Sequence, residues 1–489
     1  MAAADDARTA APHPHALLLP YPAQGHVIPF MELADRLLDR GFAVTFVNTE
    51  FNHRRVVVAA AGRALGAAAA AACDGRLRLV GVADGMGYGE DRDNLVRLNA
   101  CMQEAMPPRL DALLDADDER LGRVTCVVVD AGMSWALDAV KRRGLPAAAL
   151  WPASAAVLAV LLGAKKLIRD GVIDDDGAPV KLENNSFRLA ESMPAMDAVF
   201  LAWNYMGNRD AERMVFHYLT TTAWAAVAKA DVVLCNTFAD LEPDIFGPHS
   251  PAATTILPIG PLRTWQRRTS EAPAGHFWRA DDEACLSFLN AQAHGSVAYV
   301  AFGSLTVMSP AQLQELALAL LASGRPFLWV FRPGLAAELP AAFMDLLPRH
   351  GRGKVVEWAP QEKVLAHPAV GCFLTHCGWN STLEGVRHGV PLLCWPYFTD
   401  QFTNQAYICD MWRVGLRIVP NDSDGIVTKE RIMERLESLM CDSGVKERMK
   451  RLKDLAERSM GTEGQSLKNL GTEGQSLKNL NTFMESMRK

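Results

Sequence analysis

At 489 residues, 49% of them hydrophobic and 22% charged, the chain is too long for one core and reads as a globular protein of two domains, each roughly 200 residues or more. Fifty basic against 56 acidic side chains leave a net charge of −6, so no global basic field exists to attract nucleic acid or an anionic membrane. The ten cysteines include no C-x-x-C pair; they read as scattered reduced thiols, and Cys372, His376, Cys377 and Cys394 match no zinc spacing.

The opening MAAADDARTAAPHPH has no basic leader region, and the longest apolar tract, Val56–Cys73, is mostly alanine interrupted by Arg63. Neither a signal peptide nor a membrane span is expected, and a cytoplasmic location is. Ala16–Tyr21 is a short apolar strand, followed by the turn Pro22–His26. A helix is predicted from about Val27 to Arg40, with Phe30, Leu33, Ala34, Leu37 and Leu38 on one stripe and Gly41 as its stop. Phe42–Asn48 is the next strand. This strand–helix–strand unit opens a parallel, Rossmann-like sheet. Further strands are predicted at Leu77–Val82, Val124–Asp130, Ala147–Trp151 and Asp231–Asn236. His26 and Asp130 follow strand ends and so share the rim where such sheets bind ligands.

The segments Pro243–Pro261 and Arg263–Ala274 lack periodicity and read as the interdomain connection. We place the N-terminal domain at residues 1–250, a linker at 251–275 and the C-terminal domain at 276–460. A second wound unit runs through the strand Ser296–Phe302, the turn Gly303-Ser304, a helix Ala311–Ala322 capped by Ser309, and the strand Pro326–Phe331. Between Trp358 and Gln401 a buried strand, Val370–Thr375, breaks at His376-Cys377-Gly378, and a helix opens at Asn380-Ser381. Ser381 and Glu384 have capping-box spacing. A strand, a glycine turn and a helix start together make a ready phosphate site.

Lys429–Arg458 reads as a solvated, mixed-charge helical face. The decamer GTEGQSLKNL then occurs twice, at 461–470 and 471–480. Ten residues at about 100° each do not restore a helix face, so one copy is expected to dock and the other to be an inserted loop or extension.

For chemistry, His26 can be neutral at cellular pH and accept a proton, although a lone histidine after a first strand is more often structural. Asp130 either orients that imidazole or caps the next helix. Asp174-Asp-Asp176 and Asp422-Ser-Asp424 read as surface turns rather than metal sites. Met133, Trp135, Met193, Met196, Phe200, Trp203 and Tyr205 form a Met- and aromatic-rich population suited to flat apolar ligands, or to plain core packing.

The stretch Trp358–Gln401 resembles the signature box of plant secondary-product glycosyltransferases, the UDP-sugar-dependent enzymes of the GT-B fold. Their pattern stands here as Trp358, Pro360, Gln361, His376, Gly378, Trp379, Asn380, Ser381, Glu384, Pro391, Asp400 and Gln401. YPAQGHVIPFMELA and VVVDAGMSW resemble the family's segments bearing its base and the acid that orients it. The resemblance implies an α/β fold of two Rossmann-like domains facing across a cleft, with a last helix at about 471–489 crossing back onto the first domain. It implies His26 as base, Asp130 as its partner, and a single inverting displacement giving a β-glycoside. On the donor side it puts Trp358 under uracil and Gln361 at the ribose or base. His376, Ser304, Asn380 and Ser381 fall at the diphosphate, beside Gly378 and Trp379. Glu384 falls at the ribose, unless it caps the helix, and Asp400 and Gln401 at the sugar. Gln401 favours UDP-glucose as donor. No metal or other cofactor is implied, and a monomer is expected. The acceptor would be a small phenolic or other lipophilic alcohol, such as a flavonoid, against Met133, Trp135, Met196, Phe200, Trp203 and Phe398.

Overall fold

The computed structural model describes residues 13–61, 75–87, 89–181, 185–205, 207–246, 256–262, 276–332, 339, 341–421, 425–461 and 474–488. The chain is carried by two parallel sheets. In the first, β1 (His15–Leu19), β2 (Ala43–Thr49), β3 (Leu77–Val82), β4 (Cys126–Asp130), β5 (Ala147–Trp151), β6 (Val232–Cys235) and β7 (Ile256–Pro258) lie in the order β7-β6-β5-β4-β1-β2-β3. In the second, β8 (Val297–Ala301), β9 (Phe327–Val330), β10 (Gly353–Val356), β11 (Val370–Thr375), β12 (Leu392–Cys394) and β13 (Gly415–Arg417) lie in the order β10-β9-β8-β11-β12-β13.

Both orders reverse direction once. The chain winds from β1 through β2 to β3, then returns to the other side of β1 as β4. In the second sheet it winds from β8 through β9 to β10 and returns beside β8 as β11. At such a switch point two connections leave the strand ends in opposite directions and open a crevice. The two crevices hold His26 with Asp130, and Ser304 with His376.

Helices on the sheet faces explain why the central strands are continuously apolar: β1, β4, β5, β8 and β11 are buried along their whole length. The helix Gln24–Asp39 lays Val27, Phe30, Leu33, Ala34 and Leu37 on the first sheet, starting three residues earlier than its periodicity predicts. Extended Ala23 is the turn, so His26 sits in the first helical turn. The last helix, Gln475–Ser486, adds Leu480, Phe483 and Met484 to the same cluster, and its C-cap Met487 joins them. It comprises six residues of the second decamer and six that follow; residues 462–470 of the first decamer lie outside the described residues.

Two readings change. The Pro-rich stretch placed at the linker contains β7, which pairs in parallel with β6; three residues are too few to show a period, and proline is tolerated at a sheet edge. Residues 263–275 lie outside the described residues. Lys429–Cys441 and Ser443–Met460 are two helices, capped by Thr428 and Asp442. Their charges face out, but Ile432, Leu436, Leu439, Met449 and Ala456 are buried core. The short strand β13 carries too few residues for periodicity to reveal it.

The two domains are tied by directed hydrogen bonds. Trp379 Nε1 donates to Asn236 O (2.8 Å), Trp412 Nε1 to Leu241 O (2.9 Å) and Asn380 Nδ2 to Gly25 O (2.8 Å). Ser154 Oγ donates to Asn404 Oδ1 at 3.0 Å. Among the described residues no helix is long and apolar enough to cross a membrane.

Candidate active site

His26 Nδ1 and Asp130 Oδ2 are 2.7 Å apart, with the aspartate buried and the imidazole 35% exposed. Asp130 fills both roles open to it from sequence. Oδ1 accepts from Gly132 N (2.9 Å) and caps the short turn Ala131–Met133, while Oδ2 holds the imidazole. Burial alone would lower the His26 pKa, but the charge and hydrogen bond of Asp130, with Asp400 behind them, overcome that and raise it. Two tyrosines missed in the sequence complete the setting. The Tyr21 ring lies 5.1 Å from the imidazole, and Tyr218 Oη donates to Gly132 O at 2.5 Å, fixing the turn that fixes Asp130.

Across the cleft, β11 ends at His376. Cys377 takes a left-handed conformation (φ 66°), and the helix Trp379–His388 opens with Gly378 as its N-cap. That start contradicts the capping box: Ser381 is the third helical residue, and Gly378 has no side chain with which to cap. No side chain caps the helix start, which leaves its first N–H groups open to a ligand. Gly303 and Gly378 sandwich the His376 ring. A Cβ on Gly303 would stand 2.6 Å from Nε2, and one on Gly378 would also collide with it. Burial lowers the His376 pKa to about 4, so the ring is neutral near pH 7. Its Nδ1 is buried with no hydrogen-bond partner among the described residues. Ser304 is fixed beside it by Arg332, whose Nη1 donates to Ser304 O at 2.5 Å.

Gln361, Ser381 and Glu384 form one network. Gln361 Nε2 donates to Ser381 Oγ (2.9 Å) and Glu384 Oε2 (2.7 Å), while its Oε1 accepts from Tyr299 Oη (3.0 Å). The Gln361 amide is thus occupied in orienting Glu384. Trp358 is half-buried and lies against Trp278, centroids 4.6 Å apart. Arg55, from the first domain, stacks over Trp278 at 4.4 Å. Neither Trp278 nor Arg55 belongs to any sequence motif singled out above.

Asp400 accepts from Asn404 Nδ2 (2.8 Å) and Thr399 Oγ1 (3.0 Å). The Gln401 side chain is buried, its Oε1 accepting from Tyr397 N (2.8 Å) and Phe398 N (3.3 Å), so it builds the loop that carries Asp400.

The Trp379 indole is buried, packs near Trp412 and is spent on Asn236 O of the first domain. Trp203 is fully buried, with Nε1 donating to Gly177 O (2.8 Å), and Met133 is fully buried under the first sheet. Met196 is core as well. For these, periodicity could not separate a pocket wall from the core behind it. Trp135 and Phe398 are half-buried. Phe200 is half-buried and stacks on Phe402, centroids 4.5 Å apart, with Tyr205 edge-on to both. Phe402, unremarked in the sequence, brings this aromatic cluster across from the second domain.

Comparisons with known proteins identify the family and the fold. A family model described as UDP-glucoronosyl and UDP-glucosyl transferase matches residues 278–459. UDP-glycosyltransferase 83A1 of Arabidopsis thaliana is 35% identical over 93% of this chain and 94% of its own length. The (R)-mandelonitrile beta-glucosyltransferase of Prunus dulcis is 35% identical over 93% and 95%. Among solved structures, a Polygonum tinctorium UDP-glucosyltransferase capable of glucosylating indoxyl superposes with a TM-score of 0.77 at 28% identity, covering 98% of this chain and 100% of its own. The O. sativa protein Os79 in complex with UDP gives 0.75 at 26%, covering 96% and 100%. The fold and site define a nucleotide-sugar transferase. The chain belongs to the plant family 1 UDP-glycosyltransferases and has their GT-B fold.

Proposed function

We propose that the chain is an inverting UDP-glucosyltransferase that moves glucose from UDP-glucose to a hydroxyl of a small lipophilic acceptor, a flavonoid or other phenolic being the leading class. The observation that carries this reading is the His26–Asp130 pair on one side of the cleft, with Asp400 close enough on the other to act on the imidazole charge. His26 Nε2 takes the acceptor proton as the hydroxyl oxygen bonds to the anomeric carbon. The bond from that carbon to the phosphate oxygen breaks with its electron pair on UDP, and Asp130 balances the imidazolium. Attack opposite the leaving group turns an α-linked donor into a β-glucoside.

On the donor side, Trp358 offers a face to uracil and Glu384 an acceptor to the ribose. His376, Ser304, Asn380 and Ser381, with the helix-start amides, receive the diphosphate, so the transfer as drawn calls on no metal. Asp400 and Gln401 serve the sugar. The cluster of Phe200, Tyr205 and Phe402 supports a flat or aromatic acceptor. The mandelonitrile enzyme is named for a small aromatic alcohol.

Incubation with UDP-glucose, UDP-galactose or UDP-glucuronate and a panel of phenols and cyanohydrins, read by product mass and anomeric coupling, tests the reading. A β-glucoside from UDP-glucose is expected, lost in His26→Ala. Nucleotide binding with no glycoside would mark a UDP-sugar sensor instead.

A further inference from the structure

Asn404 lies in the short helix Gln401–Ala406, three residues beyond Gln401, and is completely buried. Nothing above gives it a part in the reaction, yet its amide makes three hydrogen bonds. Nδ2 donates to Asp400 Oδ2 (2.8 Å) and to Cys377 O (2.9 Å), and Oδ1 accepts from Ser154 Oγ (3.0 Å). The first bond fixes the carboxylate at the sugar end of the cleft. The second reaches the left-handed residue that turns β11 into the diphosphate-facing helix. The third crosses to Ser154 in the first domain, the residue before the helix Ala155–Leu162.

The chemistry of an amide explains why this position suits asparagine. One side chain must donate twice and accept once in a fixed plane, and every partner is a single oxygen. Burial pushes the Asp400 carboxyl up, and the hydrogen bonds from Asn404 and Thr399 work against that, favouring the ionised acceptor. Asp400 Oδ1 accepts from Thr399 Oγ1, so without Asn404 the carboxylate loses one of its two side-chain anchors.

We propose that Asn404 is a positioning residue that sets Asp400 for the donor sugar and links that setting to the first domain through Ser154. This rests on the reading of Asp400 as a sugar-binding group. Asn404 acts through Asp400 and touches no substrate.

Because UDP carries no sugar, comparing UDP-glucose with UDP isolates the effect. Dissociation constants for both, measured by calorimetry without acceptor, are expected to show UDP-glucose binding weakened roughly tenfold to a hundredfold in Asn404→Ala, the range for losing a hydrogen bond to a charged group, with UDP changed much less. Asn404→Asp, nearly isosteric, keeps the acceptor for Ser154 but puts a second carboxylate against Asp400, and is expected to show the same sugar-selective loss should the alanine variant not fold. Ser154→Ala gives a smaller loss in the same direction and adds nothing on top of Asn404→Ala. Equal weakening of UDP and UDP-glucose would reduce Asn404 to a support of the nucleotide loop and overturn the proposal, as would no change in either. Asp400→Ala separates the two levels. A sugar-selective loss there without one at Asn404 overturns this inference alone; no loss at Asp400 overturns the reading beneath it as well.

Discussion

His26 can accept a proton only while its imidazole is neutral, and Asp130 makes the charged form more favourable than in water. The base is therefore lost as pH falls through a pKa raised above the ordinary histidine value, and kcat/KM is expected to fall on the acid side from that point. In Asp130→Asn the raising influence goes while burial stays. A pH–rate profile should then show the acid limb moved to lower pH, with kcat reduced by about 10²–10⁴; an unmoved limb would separate Asp130 from the base. His376 works in the opposite sense. Its pKa of about 4 makes it a neutral donor across the working range, held in place by two glycines. Gly303→Ala is expected to push the ring aside and raise KM for UDP-glucose about tenfold or more, with the acceptor KM little altered. His26, Asp130 and His376 could be singled out in the sequence because each lies at a strand end in a segment that resembles the family's; position alone left His26 and Asp130 open. Tyr218, Trp278 and Asn404 could not, since what they do depends on contacts 86, 80 and 250 positions away, to Gly132, Trp358 and Ser154.

Among the elements, the helix Trp379–His388 shows how one backbone angle redistributes roles. Ser381 and Glu384 have the spacing of a capping box, but left-handed Cys377 brings the chain round sooner and hands the cap to Gly378. Both side chains are then turned to Gln361, itself the first residue of the helix Gln361–Leu365. Orientation of Glu384 is thus a property of two helices together. Gln361→Ala is expected to weaken UDP binding about tenfold, and to cost about 1–3 kcal/mol of stability because Tyr299 Oη loses its acceptor in the core; calorimetry and thermal melting read the two effects separately. The long central strands and amphipathic helices were visible from composition and period alone. The edge strands β7 and β13 were not, because three residues that complete a sheet need only backbone pairing.

Over the whole molecule, the two sheets meet through a few directed bonds from buried indoles and amides. Trp379→Phe keeps an aromatic ring but strands the buried carbonyl of Asn236, and is expected to lower the melting temperature by a few degrees for about 1–2 kcal/mol lost. The duplicated decamer bears on the same assembly through the last helix, which packs beneath the first sheet. Gly461 and Gly474, the described residues on either side of 462–473, touch: a Cβ on Gly461 would lie 3.4 Å from Gly474 N. Removing 461–470 or 471–480 yields one and the same chain, in which only Thr and Glu separate this glycine pair. A three-bond link spans up to about 11 Å, so the helix can keep its seat. The shortened chain should melt no lower than the full one and transfer sugar at the same rate. The repeat falls where the described chain ends already meet, at Gly461 and Gly474, so one copy can be lost without moving the helix that seals the first sheet.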